Sequence, residues 1–319
     1  MLLVIAACSG GGDGSAISYP DFEMKMAAEY CSYSVRCGIF PDTSTCLAVS
    51  GAIVRTDIED AIAGGRIVFD ANNALACLTA YANQSCDMTI ARSGPIECGE
   101  LFDGAVAANG SCALDDECIS NSCTVPSCGG GCCQGTCVGD IAPSPLPTGA
   151  ACGYDAQCVT GDFCDLPSGT CQPFVAVGSA CNYLFACTPG NGCVNQVCKT
   201  LPRTGEPCPE GACTNVGDTC GSTGVCVPFG QPGDSCASSS CAPYFTCDVQ
   251  TLTCTTGPTL GQPCSQSCFG TGLYCTDEIG AEMPVCAQLG SGGASCGFDA
   301  ECLDYDCATG SCATPTTCW

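Results

Sequence analysis

Histidine is absent from all 319 residues. That excludes Ser-His-Asp and Cys-His nucleophile systems and the common zinc hydrolases. Also missing is any Cys-x-x-Cys or Cys-x-Cys. These tight spacings let two thiolates on one turn reach one ion, so zinc and iron–sulfur sites favour them. Without them, thioredoxin-like redox motifs and haem attachment are excluded too, while looser three- and four-residue gaps remain. Basic residues are scarce, 7 against 32 acids, for a net charge of −25. Such a surface repels nucleic acid and anionic lipid. Solubility is its plain consequence, and weak calcium binding by clustered carboxylates is the alternative. After the first residues there is no apolar run of ~20, so no transmembrane helix is expected.

What the chain has is cysteine, 39 of them. This density points to disulfides formed in an oxidising compartment. One four-cysteine unit recurs six times between residues 149 and 312. Its first cysteines are Cys152, Cys181, Cys208, Cys236, Cys264 and Cys296, in steps of 27 to 32 residues. Each unit opens with a glycine three positions earlier, from Gly149 to Gly293. A fixed period of this length means an array of small modules. The opening glycine suits a turn that needs positive φ. An expanded relative runs from Cys112 to Cys137. There Asn109 holds the glycine position, and asparagine tolerates the same left-handed backbone.

Turn formers separate the third and fourth cysteines, as in Cys164-Asp165-Leu166-Pro167-Ser168-Gly169-Thr170-Cys171. That reads as a short β-hairpin, which is marginal in water without cross-links. A first-to-third, second-to-fourth pairing would pin the leading loop across the hairpin. Each bond would close a loop of about 12 residues and contribute about 3 kcal/mol on the chain-entropy model. Carboxylate-pair chemistry needs a rigid cleft, which units of this size have little core to build. No catalytic residue, cofactor or metal is assigned.

The amino-terminal segment reads as helical. Ser18 caps a helix with Pro20, Asp21 and Glu23 in its first turn. Phe22, Met26, Tyr30, Tyr33 and Cys37 share one face. A second helix starts near Thr43 and carries Cys46, Val49 and Ile53. The capping-box spacing of Thr56-Asp57-Ile58-Glu59 starts a third, which Gly64-Gly65 ends. Asp70 caps a fourth, with Leu75, Cys77, Leu78 and Tyr81 inward. Among the many connectivities open to its six cysteines, the favoured set is Cys37–Cys46, Cys31–Cys77 and Cys86–Cys98. The expected fold is therefore small disulfide-rich repeats, built of loops and short β-hairpins, behind a disulfide-bridged α-helical domain. The divisions are a signal and tether (1–17), a helical domain (18–100), an expanded module (101–140), a proline-rich linker (141–148) and six repeats (149–319).

Ile5-Ala6-Ala7-Cys8 resembles a bacterial lipobox. The resemblance implies cleavage before Cys8 and a diacylglyceryl anchor on it, placing the protein in the cell envelope, at the outer membrane or cell surface. Gly149-Ala150-Ala151-Cys152-Gly153-Tyr154-Asp155-Ala156-Gln157-Cys158 resembles the opening of Dickkopf and colipase cysteine-rich domains, and so does Gly293 to Cys302. That resemblance supports the first-to-third and second-to-fourth pairing, Cys152–Cys164 and Cys158–Cys171 in the first unit. The whole layout resembles cysteine-rich lipoproteins of myxobacteria. Asp115, Asp155 and Asp299 each stand third after their unit's first cysteine. They read either as a calcium or partner site or as caps of a short turn. Phe163, Tyr274 and Tyr305, near third cysteines, cover the cystines or, if exposed together, form a binding stripe.

Binding is thus expected rather than catalysis. One form is an adhesive or scaffolding arm for an unknown protein or surface glycan, six units in line reaching roughly 120 Å. The other is a ligand-like antagonist of one partner, as the Dickkopf resemblance implies. Parity supplies a check, because 39 cysteines less a lipidated Cys8 leave an even 38. The seventh cysteine of the expanded module and Cys318 then pair with each other, stay free or bond another chain; intact mass with and without alkylation separates the three and should show lipid on Cys8.

Overall fold

The computed structural model describes residues 17–312 except 53, 92–94, 125–133, 140–144, 153–156, 160, 209–210, 265–267, 271, 277–284, 291–306 and 309–310. Cys8, Asp155, Asp299, Tyr305, Cys318 and Ile53 lie outside the described residues. Among those described, no helix is long and apolar enough to cross a membrane.

Four helices lead: α1 (Tyr19–Arg36), α2 (Thr43–Ser50), α3 (Thr56–Ala63) and α4 (Ala71–Ala82). Ser18 caps α1 through the Asp21 N–H, and Asp70 caps α4 through Asn72 and Asn73. The cap of α3 differs from the expected box: Arg55 is its N-cap, with no side-chain cap hydrogen bond. Arg55 instead pairs with Asp57, whose carboxylate accepts the Ile58 N–H. The inward face of α4 is Ala74, Cys77 and Leu78, while Leu75 is 49% exposed. The expected face was therefore off by one residue at its start.

All three amino-terminal disulfides differ from the favoured set. Cys31 joins Cys46, Cys37 joins Cys86, and Cys77 joins Cys98. The reason is the height of each cysteine in an antiparallel hairpin of helices. Cys31 lies six residues before the α1 C-cap and Cys46 four after the α2 N-cap, so the two are level. Cys37 is itself the C-cap, level with nothing on α2, and it faces the chain that leaves α4. Arg36 supports that junction by donating to the Ala82 and Gln84 carbonyls.

The expected division at residue 100 is crossed by a strand pair, β1 (Ile67–Phe69) with β2 (Phe102–Gly104). Phe69 and Phe102 close an aromatic cluster with Tyr19 and Phe22, ring centroids 5.7–6.0 Å apart. Burial, then the Glu23 carboxylate, push the Tyr19 phenol up to about 12. Arg66 reaches from the helices into the expanded unit. It donates to the Ser111 carbonyl and, at 2.9 Å, to Glu117, which is fully buried and also accepts the Ala113 N–H.

The array is built from one frame used repeatedly. The hairpins are β6/β7 (Asp162–Asp165, Thr170–Pro173), β8/β9 (Asn191–Val194, Val197–Thr200), β10/β11 (Asp218–Cys220, Cys226–Pro228), β12/β13 (Phe245–Asp248, Thr253–Thr256), β14/β15 (Leu273–Cys275, Cys286–Gln288) and β16/β17 (Cys307–Ala308, Ser311–Cys312). In each, third and fourth cysteines face one another across the ladder. In units 1 to 5 they do not bond to each other. In units 1 to 5 the third takes the first and the fourth takes the second. Cys112–Cys123 and Cys118–Cys137 do the same across the sheet of β3 (Ser111–Cys112), β5 (Gly135–Cys137) and β4 (Cys123–Thr124).

Three backbone contacts recur beside the cystines. The opening residue donates its N–H to the fourth-cysteine carbonyl at 2.7–2.8 Å, from Asn109→Cys137 and Gly149→Cys171 to Gly261→Cys286. The fourth cysteine donates back to the following residue at 2.8–2.9 Å. The third contact joins the residue after the second cysteine to the carbonyl six positions before the first, at 2.6–3.0 Å, as in Val159→Leu146 and Thr214→Pro202. Asn109 has φ 68°, and the described opening glycines have φ 78–93°. That left-handed backbone is why the position is glycine or asparagine.

Two measurements test this frame. Gly178→Ala places a Cβ at φ 84° and should cost about 1–2 kcal/mol in denaturant unfolding, whereas Asn109→Gly should cost nothing. Glu117→Ala removes the buried carboxylate that Arg66 and the Ala113 N–H share and should cost about 2–3 kcal/mol.

Candidate functional site: the row that meets the helices

The described units do not run in line away from the helical domain. Units 2 to 5 pack against it, and the contacts of three successive units use one position, the third residue before the third cysteine. In unit 2 that residue is Gly190, whose N–H donates to Thr89 Oγ1 at 2.6 Å. In unit 3 it is Gly217, where an added Cβ would lie 1.8 Å from the Cys37 carbonyl oxygen. In unit 4 it is Tyr244, whose ring stacks on Phe40 with centroids 5.8 Å apart and planes 16° apart.

Each partner is held in place from below. Thr89 is buried and donates to Asp87 Oδ1 at 2.6 Å, so its oxygen is aimed at unit 2. Unit 3 adds a short antiparallel bridge, Asp87 to Asn215, with Met88→Thr214 at 2.8 Å and Val216→Cys86 at 2.9 Å. Phe40 sits on the turn between α1 and α2, flanked by Cys31–Cys46 and Cys37–Cys86. It is 1% exposed and meets Phe245 edge-on at 6.1 Å. Phe229, just past the end of unit 3, and Phe269, next to Cys268 within unit 5, complete the cluster. Burial raises the phenol pKa of Tyr30 beside it. Gln231 Nε2 donates to the Gly38 carbonyl at 2.9 Å.

Asp42 fixes the end of that turn as N-cap of α2. The Ser44 hydroxyl, then the Thr45 N–H, pull its carboxyl down to about 2. An unfolded aspartate titrates near ~3.9. The cap therefore contributes in full above about pH 4 and is lost as pH falls through about 2.

Of the sequence-derived candidates, Asp115 accepts the Cys123 N–H at 2.6 Å, eight residues on, which ties its turn to β4 rather than closing a local Asx turn. Phe163 is buried and stacks on Phe174 at 5.6 Å, so it belongs to the inside of unit 1 rather than to an exposed stripe. Sulfurs of the two cystines in a unit lie within 4.8 Å of one another, as for Cys152, Cys158 and Cys171. They are spent in S–S bonds and offer no thiolate. Asp165 Oδ1 is buried without a partner. In unit 4 the matching Asp248 accepts the Gln250 N–H, and unit 1 has Pro167 there, with no N–H to give.

Phe40 and Tyr244 went unread in the sequence, although a signal exists. Aligned on the third cysteine, units 1, 2, 3 and 5 read Gly161, Gly190, Gly217 and Gly272, while unit 4 has Tyr244 and unit 6 Asp304. Gly217→Ala should separate unit 3 from the helices. The expected result is faster hydrogen exchange at Met88 and Val216, with exchange in unit 1 unchanged. Lowering the pH from about 4 to 2 should reduce the hydrogen-exchange protection factors in the first turn of α2.

Residues 151–199 match the family described as the Dickkopf N-terminal cysteine-rich region. The match runs from the residue before Cys152 to the residue after Cys198, so it spans two complete cystine frames and not only their openings. It covers under a sixth of the chain. No curated protein and no solved structure matches the chain.

Proposed function

We propose that this is an exported, non-enzymatic binding protein that presents loops of cystine-framed modules to a partner protein or a surface glycan. The observation that carries it is the recurrence of one frame with unlike loops. The same cystine pairing and backbone contacts hold units 1 to 5, while only the cysteines and the turn positions keep their residue type. A scaffold that fixes ends and frees loops suits recognition. The Dickkopf match over units 1 and 2 supports an extracellular setting, as does the disulfide density.

A lipid on Cys8 would hold the protein at the envelope, and packing of the array on the helices makes it a compact scaffold rather than a long arm. A second reading, a ligand-like antagonist of one partner, is favoured by the same match. Residues 101–319 carry 20 acids against Lys199 and Arg203, so nucleic acid is not a partner on electrostatic grounds. Crosslinking the purified chain to intact cell surfaces is the test. One saturable partner supports the antagonist, several partners support the scaffold, and none at micromolar chain refutes both. Metabolic labelling with a fatty acid should mark the chain and fail on Cys8→Ser.

A further inference from the structure

Tyr244 has φ 69°. A bulky residue in the left-handed region costs about 1–2 kcal/mol. The equivalent Gly161, Gly190 and Gly272 have φ 99°, 86° and 68° without that cost. Unit 4 thus keeps a strained backbone at a position where units 1, 2, 3 and 5 carry glycine, and what it gains is a ring facing Phe40. Strain retained at one unit of a repeat marks a site.

The contact has the parts of a binding site with its occupant in place. Tyr244 offers a flat ring face and Phe245 an edge, so Phe40 sits in a two-walled corner. Gln231 reads the Gly38 carbonyl, two residues before the anchor. Two disulfides preform the loop that carries the anchor. One element is unmatched: Gln231 Oε1 is buried and accepts no hydrogen bond. The loop thus supplies the acceptor that this amide needs and leaves it without a donor.

We propose that the Tyr244–Phe245 corner with Gln231 is a recognition site for a protein loop that places an aromatic side chain beside a backbone carbonyl and N–H. The Gly38–Pro41 loop of the same chain fills it in cis. A partner loop that also gives an N–H to Gln231 Oε1 binds better and displaces it, freeing units 3 to 5 from the helices. This deepens the binding role proposed above by naming the partner's chemistry. The test uses neither lipid nor a natural partner, so it fails independently of that role.

The full chain is labelled with 3-fluorotyrosine, and the Tyr244 resonance is assigned with Tyr244→Phe. The probe is an acetylated, amidated peptide of residues 38–42. At millimolar peptide the wild-type signal should hold still, because the site is filled. In Phe40→Ala it should shift and saturate, and Phe40→Ala with Gln231→Ala should require several-fold more peptide. A Phe40→Ala signal that does not respond overturns the proposal. Tyr244→Gly restores the residue the other units use, so it folds independently of the Phe40 variants. It should raise exchange at residues 38–40 by about tenfold. Unchanged exchange there would mean that the ring contributes nothing to docking, which also overturns it.

Discussion

Everything in the array depends on third and fourth cysteines that face each other across a hairpin yet bond elsewhere. A facing pair joined to itself would close only the hairpin. Sending the third to the first and the fourth to the second ties two leading loops to one two-stranded ladder. With cystines worth about 3 kcal/mol each on the entropic account, a unit of this size stands without an apolar core. The mutual hydrogen bonds between the opening turn and the fourth cysteine set the position of that loop, and they require the left-handed residue that opens every unit.

The frame has a second consequence. Because each unit repeats the same geometry, the third residue before the third cysteine recurs on one side of the array. Gly190, Gly217 and Tyr244 meet Thr89, Cys37 and Phe40 in turn. The row stays close to the helices because two of its three members have no side chain. The third member exchanges that closeness for a ring stack. Arg66 and Glu117 perform the equivalent task for the expanded unit, with a buried charge pair in place of a close backbone approach. The helical domain is thus the body on which the modules are laid rather than a spacer in front of them.

The frame of the units was legible because glycine and cysteine are residues whose chemistry allows few substitutes. A positive φ and a cystine each leave a fixed letter at a fixed offset. The helices were legible from Ser18, Asp70 and Gly64, since caps are local, while the Asp42 cap of α2 went unread. The amino-terminal disulfides were not, because they depend on the heights of residues in a helical hairpin, which a one-residue shift in a boundary changes. The backbone contact six positions before the first cysteine was also hidden. It uses a carbonyl, so Val106, Leu146, Val175, Pro202, Gly230 and Pro258 all serve. The docking row was visible only as a column of glycines that gives way to Tyr244 in unit 4 and Asp304 in unit 6, and among the described residues Tyr244 is the one of these that meets the helices.

A compact array changes what the protein presents. Units 3 to 5 spend part of their surface on the helices, while unit 2 gives one hydrogen bond to Thr89 and unit 1 is tied to its neighbours. Among the described residues, units 1 and 2, which match the Dickkopf region, make neither the backbone bridge nor the ring stack by which units 3 and 4 meet the helices. Small-angle X-ray scattering on the mature chain tests the account most directly. Units laid on the helical domain predict a radius of gyration well below the ~35 Å of a 120 Å rod, with compact-chain scaling setting a floor near ~20 Å. A rod-like profile with a radius of gyration at or above ~35 Å would contradict it.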